Sequence, residues 1–81
     1  MSEARLRYFA AARQALGISE ECLSGANGLA GLIEHLSARS PAIAQLLSRC
    51  SFLVDGRRRE PDRTPLPDGA VVDVLPPFAG G

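Results

Sequence analysis

Residues 66–81 have the sequence LPDGAVVDVLPPFAGG, and this closing stretch decides the fold. Its Asp-Gly pair predicts a turn, and the apolar run that follows predicts a strand over residues 70–75. Two prolines then end the pairing, because proline has no N–H to donate to a neighbouring strand. The sequence closes on two glycines, which form a narrow terminus. We therefore expect a domain over residues 1–76 and a flexible tail over residues 77–81.

The one charged residue of this last strand predicts the direction of its side chains. Asp73 is expected to face water, so its neighbours Val72 and Val74 point to the core. Val71 and Leu75 lie on the same side as Asp73. Leu75 is therefore predicted to be an exposed apolar residue.

A first strand is predicted over residues 4–9, where apolar and charged residues alternate. The alternation places Phe9 on the charged, solvent-facing side. If the first and last strands are parallel neighbours, Phe9 and Leu75 lie together, and with Phe78 they form an apolar patch of the kind that binds other proteins. The alternative is a bulge at Phe9 that turns its ring into the core.

One main helix is predicted between these strands. Apolar residues recur at helical spacing over residues 29–36, Asn27 is placed to cap the start of the helix, and Pro41 stops it. A shorter helix is predicted over residues 41–48.

Strands predicted over residues 18–24, 51–54 and 57–59 complete the sheet. The last two flank an Asp-Gly pair, which indicates a two-residue hairpin. Residues 10–17 predict a short helical turn or loop, and the proline-rich residues 60–69 predict a second loop. The fold class is then α+β, with one main helix packed on a mixed sheet of four or five strands. It is a β-grasp if the first and last strands are parallel neighbours at the centre.

Size and charge narrow the classes of function. A chain of 81 residues makes one domain with a small core, which favours a carrier or binding module over an enzyme with its own pocket. Nine basic and nine acidic residues give zero net charge, so neither nucleic acid nor an acidic membrane is expected as a partner. With no apolar run of the length of a signal peptide or a membrane span, a cytoplasmic location is expected.

The residues that most often carry chemistry in side chains indicate no site. Cys22 and Cys50 lack the spacing of a metal or redox motif and are predicted to be reduced core residues. His35, the one histidine, is interpreted as a surface or boundary residue beside the apolar stripe of the helix. No metal site is expected.

Three stretches together resemble a known family: RYFAAARQALG at residues 7–17, RCSFLVDG at residues 49–56, and the closing block. They resemble the small subunit of molybdopterin synthase, often called MoaD, within the wider group of ubiquitin-like sulfur carriers that includes ThiS. The last two stretches resemble the actinobacterial, MoaD2-type members in particular. The resemblance runs through nearly the whole chain, and it implies a ubiquitin-like β-grasp.

The resemblance also implies a cycle at the carboxylate of Gly81. An activating enzyme related to ubiquitin E1, of the MoeB kind, would adenylate Gly81 with ATP, and a sulfur donor would convert it to a thiocarboxylate. The thiocarboxylate would give its sulfur to a pyranopterin precursor in the large subunit, MoaE, which holds the catalytic side chains. No cofactor would be bound permanently. The alternatives are delivery of sulfur to thiamine, cysteine, tRNA or a secondary metabolite, or a ubiquitin-like binding module without chemistry at its terminus.

Individual residues carry over by position. Gly80 and Gly81 match the terminal pair of the family, and Phe9 and Leu75 match its contact with the large subunit. The residues expected to bind the partner are Phe9, Leu75, Pro76, Pro77, Phe78 and Ala79. One departure is the arginine run at residues 57–59, where the family commonly offers an apolar residue. This charged rim could pair with acids on its own partner, or the chain could serve a different acceptor.

Overall fold

The structure, a computed structural model, describes residues 2–77. These residues form five strands and three helices joined by turns and loops. The strands are β1 (Glu3–Tyr8), β2 (Glu20–Ser24), β3 (Ser51–Val54), β4 (Arg57–Arg58) and β5 (Val71–Leu75). The helices are α1 (Ala11–Leu16), α2 (Gly28–Ser37) and α3 (Pro41–Leu47). Residues 10–17, predicted as a short helical turn or loop, are thus largely a helix, which ends at Gly17 in the left-handed conformation.

The strands form one mixed sheet within the described residues, in the order β2-β1-β5-β3-β4. β1 and β5 are parallel neighbours at its centre, with Arg5 opposite Val71 and Tyr8 opposite Val74. The other neighbouring pairs are antiparallel. The prediction of an α+β fold of the β-grasp type is therefore confirmed.

Alternation along the strands separates a core face from an outer face. Ala4, Leu6 and Tyr8 of β1 are buried, whereas the charged residues between them are exposed. Val72 and Val74 of β5 are buried in the same cluster, so the predicted direction of both strands is confirmed. The helices contribute Ala12, Leu29, Leu32, Leu36, Ile43 and Leu47 to this core. The outer face, on the side away from the helices, consists of the alternate strand residues Glu3, Arg5, Arg7, Glu20, Cys22, Ser24, Ser51, Leu53, Arg58, Val71, Asp73 and Leu75.

The start of α2 is held by the loop before β5. The side chain of Asn27 makes no capping hydrogen bond, so the predicted cap is wrong. The backbone carbonyl of Asp62 instead accepts the N–H of Ala30 at 2.9 Å, which satisfies one of the donors that a helix start leaves unpaired. Gly28 lets the loop approach this closely: its φ is 73°, and a Cβ there would lie 2.4 Å from the Asp62 carbonyl oxygen.

The second helix ends earlier than Pro41, which differs from the prediction. α2 ends at Ser37, and Pro41 is the first residue of α3, where its missing N–H costs no hydrogen bond. The Ser40 hydroxyl caps α3 by accepting the N–H of Ile43 at 3.1 Å.

The β3–β4 hairpin has the turn that its Asp-Gly pair predicts. Asp55 and Gly56 both have positive φ, 49° and 83°, as a two-residue hairpin of this kind requires. The hairpin also binds the start of β5, because the Asp55 carboxylate accepts the N–H of Val71 at 2.9 Å.

The two cysteines are free thiols in different surroundings. Cys50 is half-buried against the core, as predicted, and its thiol donates to the Leu46 carbonyl at 3.3 Å. Cys22 is exposed on the outer face, so its prediction as a core residue is wrong. Cys22 and Leu23 are adjacent apolar residues of one strand, and only Leu23 can face the core. Along residues 2–77, none of the helices has the length and apolar character needed to cross a membrane.

Candidate functional site

The four predicted site residues Phe78, Ala79, Gly80 and Gly81 lie outside the described residues. Most of the predicted tail, residues 77–81, lies there too. The site that can be built from the structure is therefore the surface that adjoins the end of β5. It comprises Phe9, the outer-face residues around it, and the two prolines.

Phe9 and Leu75, the apolar pair, lie at the same end of the paired strands β1 and β5. Tyr8, the last residue of β1, is paired with Val74, and Phe9 and Leu75 are the residues that follow these two. Phe9 is 38% exposed, which confirms its predicted direction and excludes the bulge into the core. Leu75 is half-buried rather than exposed, because its strand has neighbours on both sides.

The two prolines after β5 differ in exposure. Pro76 is buried within the chain itself, whereas Pro77 is exposed. Pro77 is therefore accessible to solvent in the isolated chain, and Pro76 restricts the direction in which the backbone leaves the sheet.

Behind the apolar pair lies an ion pair that the sequence did not predict. Asp73 was expected to face water, yet it is only 8% exposed, although it does lie on the outer face. Arg7, its neighbour in the parallel register, donates from Nε at 2.6 Å and from Nη2 at 2.9 Å to the two carboxylate oxygens. The arginine covers the acid, and this is why the expectation of a water-exposed Asp73 is wrong.

Arg7 also contacts the aromatic ring of the apolar pair. Its guanidinium carbon lies 5.8 Å from the centroid of the Phe9 ring, within the range of a cation–π interaction. The hydrogen bond with Asp73 raises the pKa of Arg7 above its ordinary value, so the guanidinium stays charged. The Phe9 ring thus lies against Arg7, which is itself held in place by Asp73.

The arginine run at residues 57–59 is divided between the two sides of the sheet. Arg58 is opposite Leu53, so both lie on the outer face. Arg57 is opposite the core residue Val54 and therefore lies on the other side. The guanidinium of the third arginine lies 3.8 Å from the carboxylate of Asp62.

A second polar cluster supports the strand before Phe9 from the core side. The Tyr8 hydroxyl donates to Glu21 at 2.6 Å, and Arg39 donates two hydrogen bonds to the same carboxylate at 2.8 and 2.9 Å. Burial, followed by the hydrogen bond to Glu21, raises the pKa of Tyr8. The hydrogen bonds from Arg39 are the main reason that the pKa of Glu21 is lowered. Tyr8 therefore stays protonated and donates, while Glu21 stays ionised and accepts.

Strain in the backbone follows directly after Phe9. Ala10 has φ 50° and ψ −123°, a conformation that residues with a side chain rarely adopt. The chain turns here from β1 into α1, and the N–H of Ala12 donates to the carbonyl of Phe9 at 3.0 Å. The sharp turn leaves Phe9 just after the end of β1 with its ring outside the core.

The side chains of residues 2–77 give this surface no evident reaction centre of their own. Cys50 is half-buried and burial raises its pKa, which disfavours the reactive thiolate. His35 is exposed on α2, as predicted. Within the described residues, no three metal-ligating side chains come together. What the described part offers is a partly apolar surface beside the exit of the chain.

Comparison with known proteins agrees with this arrangement. The sequence model of the ThiS family matches residues 6–81. A molybdopterin synthase sulfur carrier subunit of Chlamydomonas reinhardtii is 29% identical over 80 residues, which cover 95% of this chain and 96% of the relative.

Two solved structures share the fold along the whole chain. The small archaeal modifier protein 1 of Methanosarcina acetivorans has a TM-score of 0.80 and 26% identity, covering 100% of this chain and 98% of the other. A chain from the protein–protein complex of subunits 1 and 2 of the molybdopterin-converting factor of Helicobacter pylori has a TM-score of 0.71 and 25% identity, covering 98% and 99%. Since the family match takes in almost the entire sequence and reaches its last residue, the resemblance is confirmed, and the chain belongs to the ThiS family.

Proposed function

We propose that this chain is the sulfur carrier subunit of molybdopterin synthase, and that it carries sulfur as a thiocarboxylate on Gly81. The observation that carries the proposal is a family match that extends through the Gly-Gly terminus of a β-grasp domain. The similarity to a molybdopterin synthase sulfur carrier subunit supports the pathway.

Loading sulfur onto Gly81 requires an activating enzyme and a sulfur donor. A carboxylate is a poor electrophile, so an activating enzyme of the MoeB kind first joins Gly81 to AMP, using ATP and releasing pyrophosphate. A hydrosulfide ion, or a donor persulfide whose S–S bond is afterwards cleaved by a thiol to leave a disulfide, attacks the activated carbonyl; AMP leaves, and the new carbon–sulfur bond remains as the thiocarboxylate. Glycine suits this step because it has no side chain to obstruct the nucleotide or the nucleophile.

In the second half of the cycle the thiocarboxylate acts as a nucleophile toward the pyranopterin precursor. The large subunit, MoaE-like, supplies the catalytic side chains, and this chain supplies the sulfur and the surface that docks. The similarity to a chain of a two-subunit complex supports such a partner. We assign the docking to Phe9, Leu75 and Pro77, together with the tail residues Phe78 and Ala79.

The domain holds the base of the tail rigidly for this purpose. β5 is paired on both sides, and Pro76 is buried at its end. We propose that residues 1–76 act as the scaffold and residues 77–81 as the arm that reaches the active sites of both partners. The cycle would take place in the cytoplasm, where ATP and reduced sulfur donors are available.

Mass spectrometry tests the proposal. The purified chain is incubated with its activating enzyme, ATP and a sulfur source, and the expected product has one oxygen at Gly81 replaced by sulfur. The matched control is a variant with one residue added after Gly81, which leaves the domain unchanged and removes the reactive glycine carboxylate. Equal sulfur incorporation in both proteins, or none in the wild type, would contradict the proposal.

Complementation then identifies the acceptor. A strain that lacks its own small subunit should regain molybdenum cofactor synthesis when it expresses this chain with the large subunit from the same genome. A chain that forms the thiocarboxylate yet fails to restore the cofactor would serve a different sulfur acceptor.

A further inference from the structure

One row of residues across the outer face ends in a cation without an acidic neighbour. Strand register places Glu20, Arg7, Asp73, Leu53 and Arg58 side by side on the five strands. Charge alternates from negative to positive to negative along the first three, and Leu53 then separates Asp73 from Arg58. Residues that are opposite each other on neighbouring strands lie close enough to interact, so this order determines which charges can neutralise each other.

Asp73 does not neutralise Arg58. Both of its carboxylate oxygens already accept hydrogen bonds from Arg7, and Leu53 lies between the two residues. Among residues 2–77, no carboxylate oxygen lies within 4.0 Å of the Arg58 guanidinium. Arg58 is exposed, so the edge of the outer face carries an uncompensated positive charge next to the apolar Leu53.

We propose that the partner which docks on the outer face presents a carboxylate to Arg58, and that this contact selects the partner. The proposal rests on the proposed function, because it takes the large synthase subunit as the occupant. A partner without an acid at this place would remove a charged group from water with no compensation, whereas a partner with one gains a charge-assisted hydrogen bond.

Arg7 and Asp73 set a different requirement on the same partner. They neutralise each other, so the partner meets them as a unit without net charge. Nη1 of Arg7 makes no hydrogen bond within the described residues, and a planar guanidinium can still donate from it. A neutral acceptor such as a backbone carbonyl suits Arg7, whereas Arg58 requires a carboxylate.

The arginine run contains its own matched control. Arg57 is the adjacent residue, is also exposed and also has no carboxylate within 4.0 Å among residues 2–77, but it lies on the opposite side of the sheet. Arg57→Glu and Arg58→Glu change the net charge of the chain by the same amount. Any effect of overall charge on association is therefore common to the two variants, and only a local contact distinguishes them.

Titration calorimetry with the large subunit from the same genome measures the affinity of each variant. Arg58→Glu is expected to weaken binding by about tenfold or more, and Arg57→Glu by less than about threefold. Arg58→Leu should fall between wild type and Arg58→Glu. The difference between the two charge reversals should shrink when ionic strength rises from about 0.05 M to about 0.5 M, because salt screens contacts at an exposed rim.

A scan of the large subunit locates the carboxylate. Each exposed Asp or Glu is changed to Asn or Gln, and each change is combined with Arg58→Leu. One position should give a double variant that binds no more weakly than the single variants, because the shared contact is already lost. Additive losses at every position, or equal losses for Arg57→Glu and Arg58→Glu, would overturn the inference.

The outcome also separates the inference from the proposed function. If the wild type binds, Phe9→Asp abolishes binding and Arg58→Glu has no effect, the docking surface is right and the acidic contact is wrong. If the wild type does not bind the large subunit, both the partner and the contact are overturned. Thermal unfolding of Arg58→Glu, expected to match the wild type at this exposed site, verifies that the variant is folded.

Discussion

Substitution of Gly28 by alanine should be among the most damaging single-methyl changes in this domain. The added Cβ would lie 2.4 Å from the carbonyl oxygen of Asp62 and 2.6 Å from that of Thr64. These are backbone atoms of the loop before β5, so no side-chain rotation can relieve the overlap. Displacing the loop would also weaken the hydrogen bond from Ala30 to Asp62.

The cost can be separated into two parts with a control. Gly28 has φ 73° and Gly17 has φ 77°, but a Cβ at Gly17 would have nothing within 4 Å. Gly17→Ala therefore carries the conformational penalty of a positive φ, about 1–2 kcal/mol. Gly28→Ala should lose that amount and a further 2–4 kcal/mol or so, from overpacking and a weakened hydrogen bond. A domain of this size has roughly 4–12 kcal/mol of total stability, so the variant should lose a large part of it.

Equilibrium unfolding in urea, followed by far-ultraviolet circular dichroism, provides the comparison. The Gly28→Ala transition should lie at a much lower urea concentration than that of Gly17→Ala, or be absent because the variant is already unfolded. If the two variants lose the same stability within about 0.5 kcal/mol, then the loop does not press on the start of α2 and the reasoning is refuted.

Two further predictions concern residues next to β1. Ala10→Gly should raise the free energy of unfolding by about 1 kcal/mol, because glycine adopts φ 50° and ψ −123° without strain. The control Ala15→Gly, within α1, should lower it by about the same amount. Stabilisation by both substitutions, or by neither, would contradict the strain at Ala10. Arg39 lowers the pKa of Glu21 in the folded state, so the unfolded state binds more protons. The ion pair therefore stabilises the fold fully above pH 4.5, the ordinary pKa of a glutamate, and this stabilisation is lost as the pH falls through the folded-state pKa. Urea unfolding at several pH values should show this loss of stability at low pH in the wild type, and a weaker dependence of stability on pH in Glu21→Gln. The same pH dependence in both proteins would show that the pair of Glu21 and Arg39 does not contribute to stability.

The sequence predicted the elements whose signals are local. Alternation in β1 and β5 needs only a few residues, and it gave the correct face for Phe9 and Leu75. The Asp-Gly pair between β3 and β4 likewise determines its turn by the φ angles of two residues. The resemblance through the closing block added the parallel pairing of β1 and β5, which no local pattern contains.

No local pattern in the sequence predicts contacts between residues that are far apart along the chain. Arg7 and Asp73 meet only because a parallel register aligns two strands from opposite ends of the chain. The Asp62 carbonyl, and not the Asn27 side chain, accepts a hydrogen bond from the first turn of α2, and this contact also joins residues that are far apart in the sequence. In β2, Glu21 faces the core side because Tyr8 and Arg39 bind it, and this leaves Cys22 on the outer face.

The parallel pairing of β1 and β5 has a mechanical consequence. A protein that binds the C-terminus and pulls on it applies its force along β5, which is hydrogen-bonded to β1 on one side and to β3 on the other. Backbone bonds on both flanks would then be loaded in shear and would have to break together, whereas a strand at the edge of a sheet can be peeled away one bond at a time. The domain should therefore resist an unfolding motor that enters from its C-terminal end.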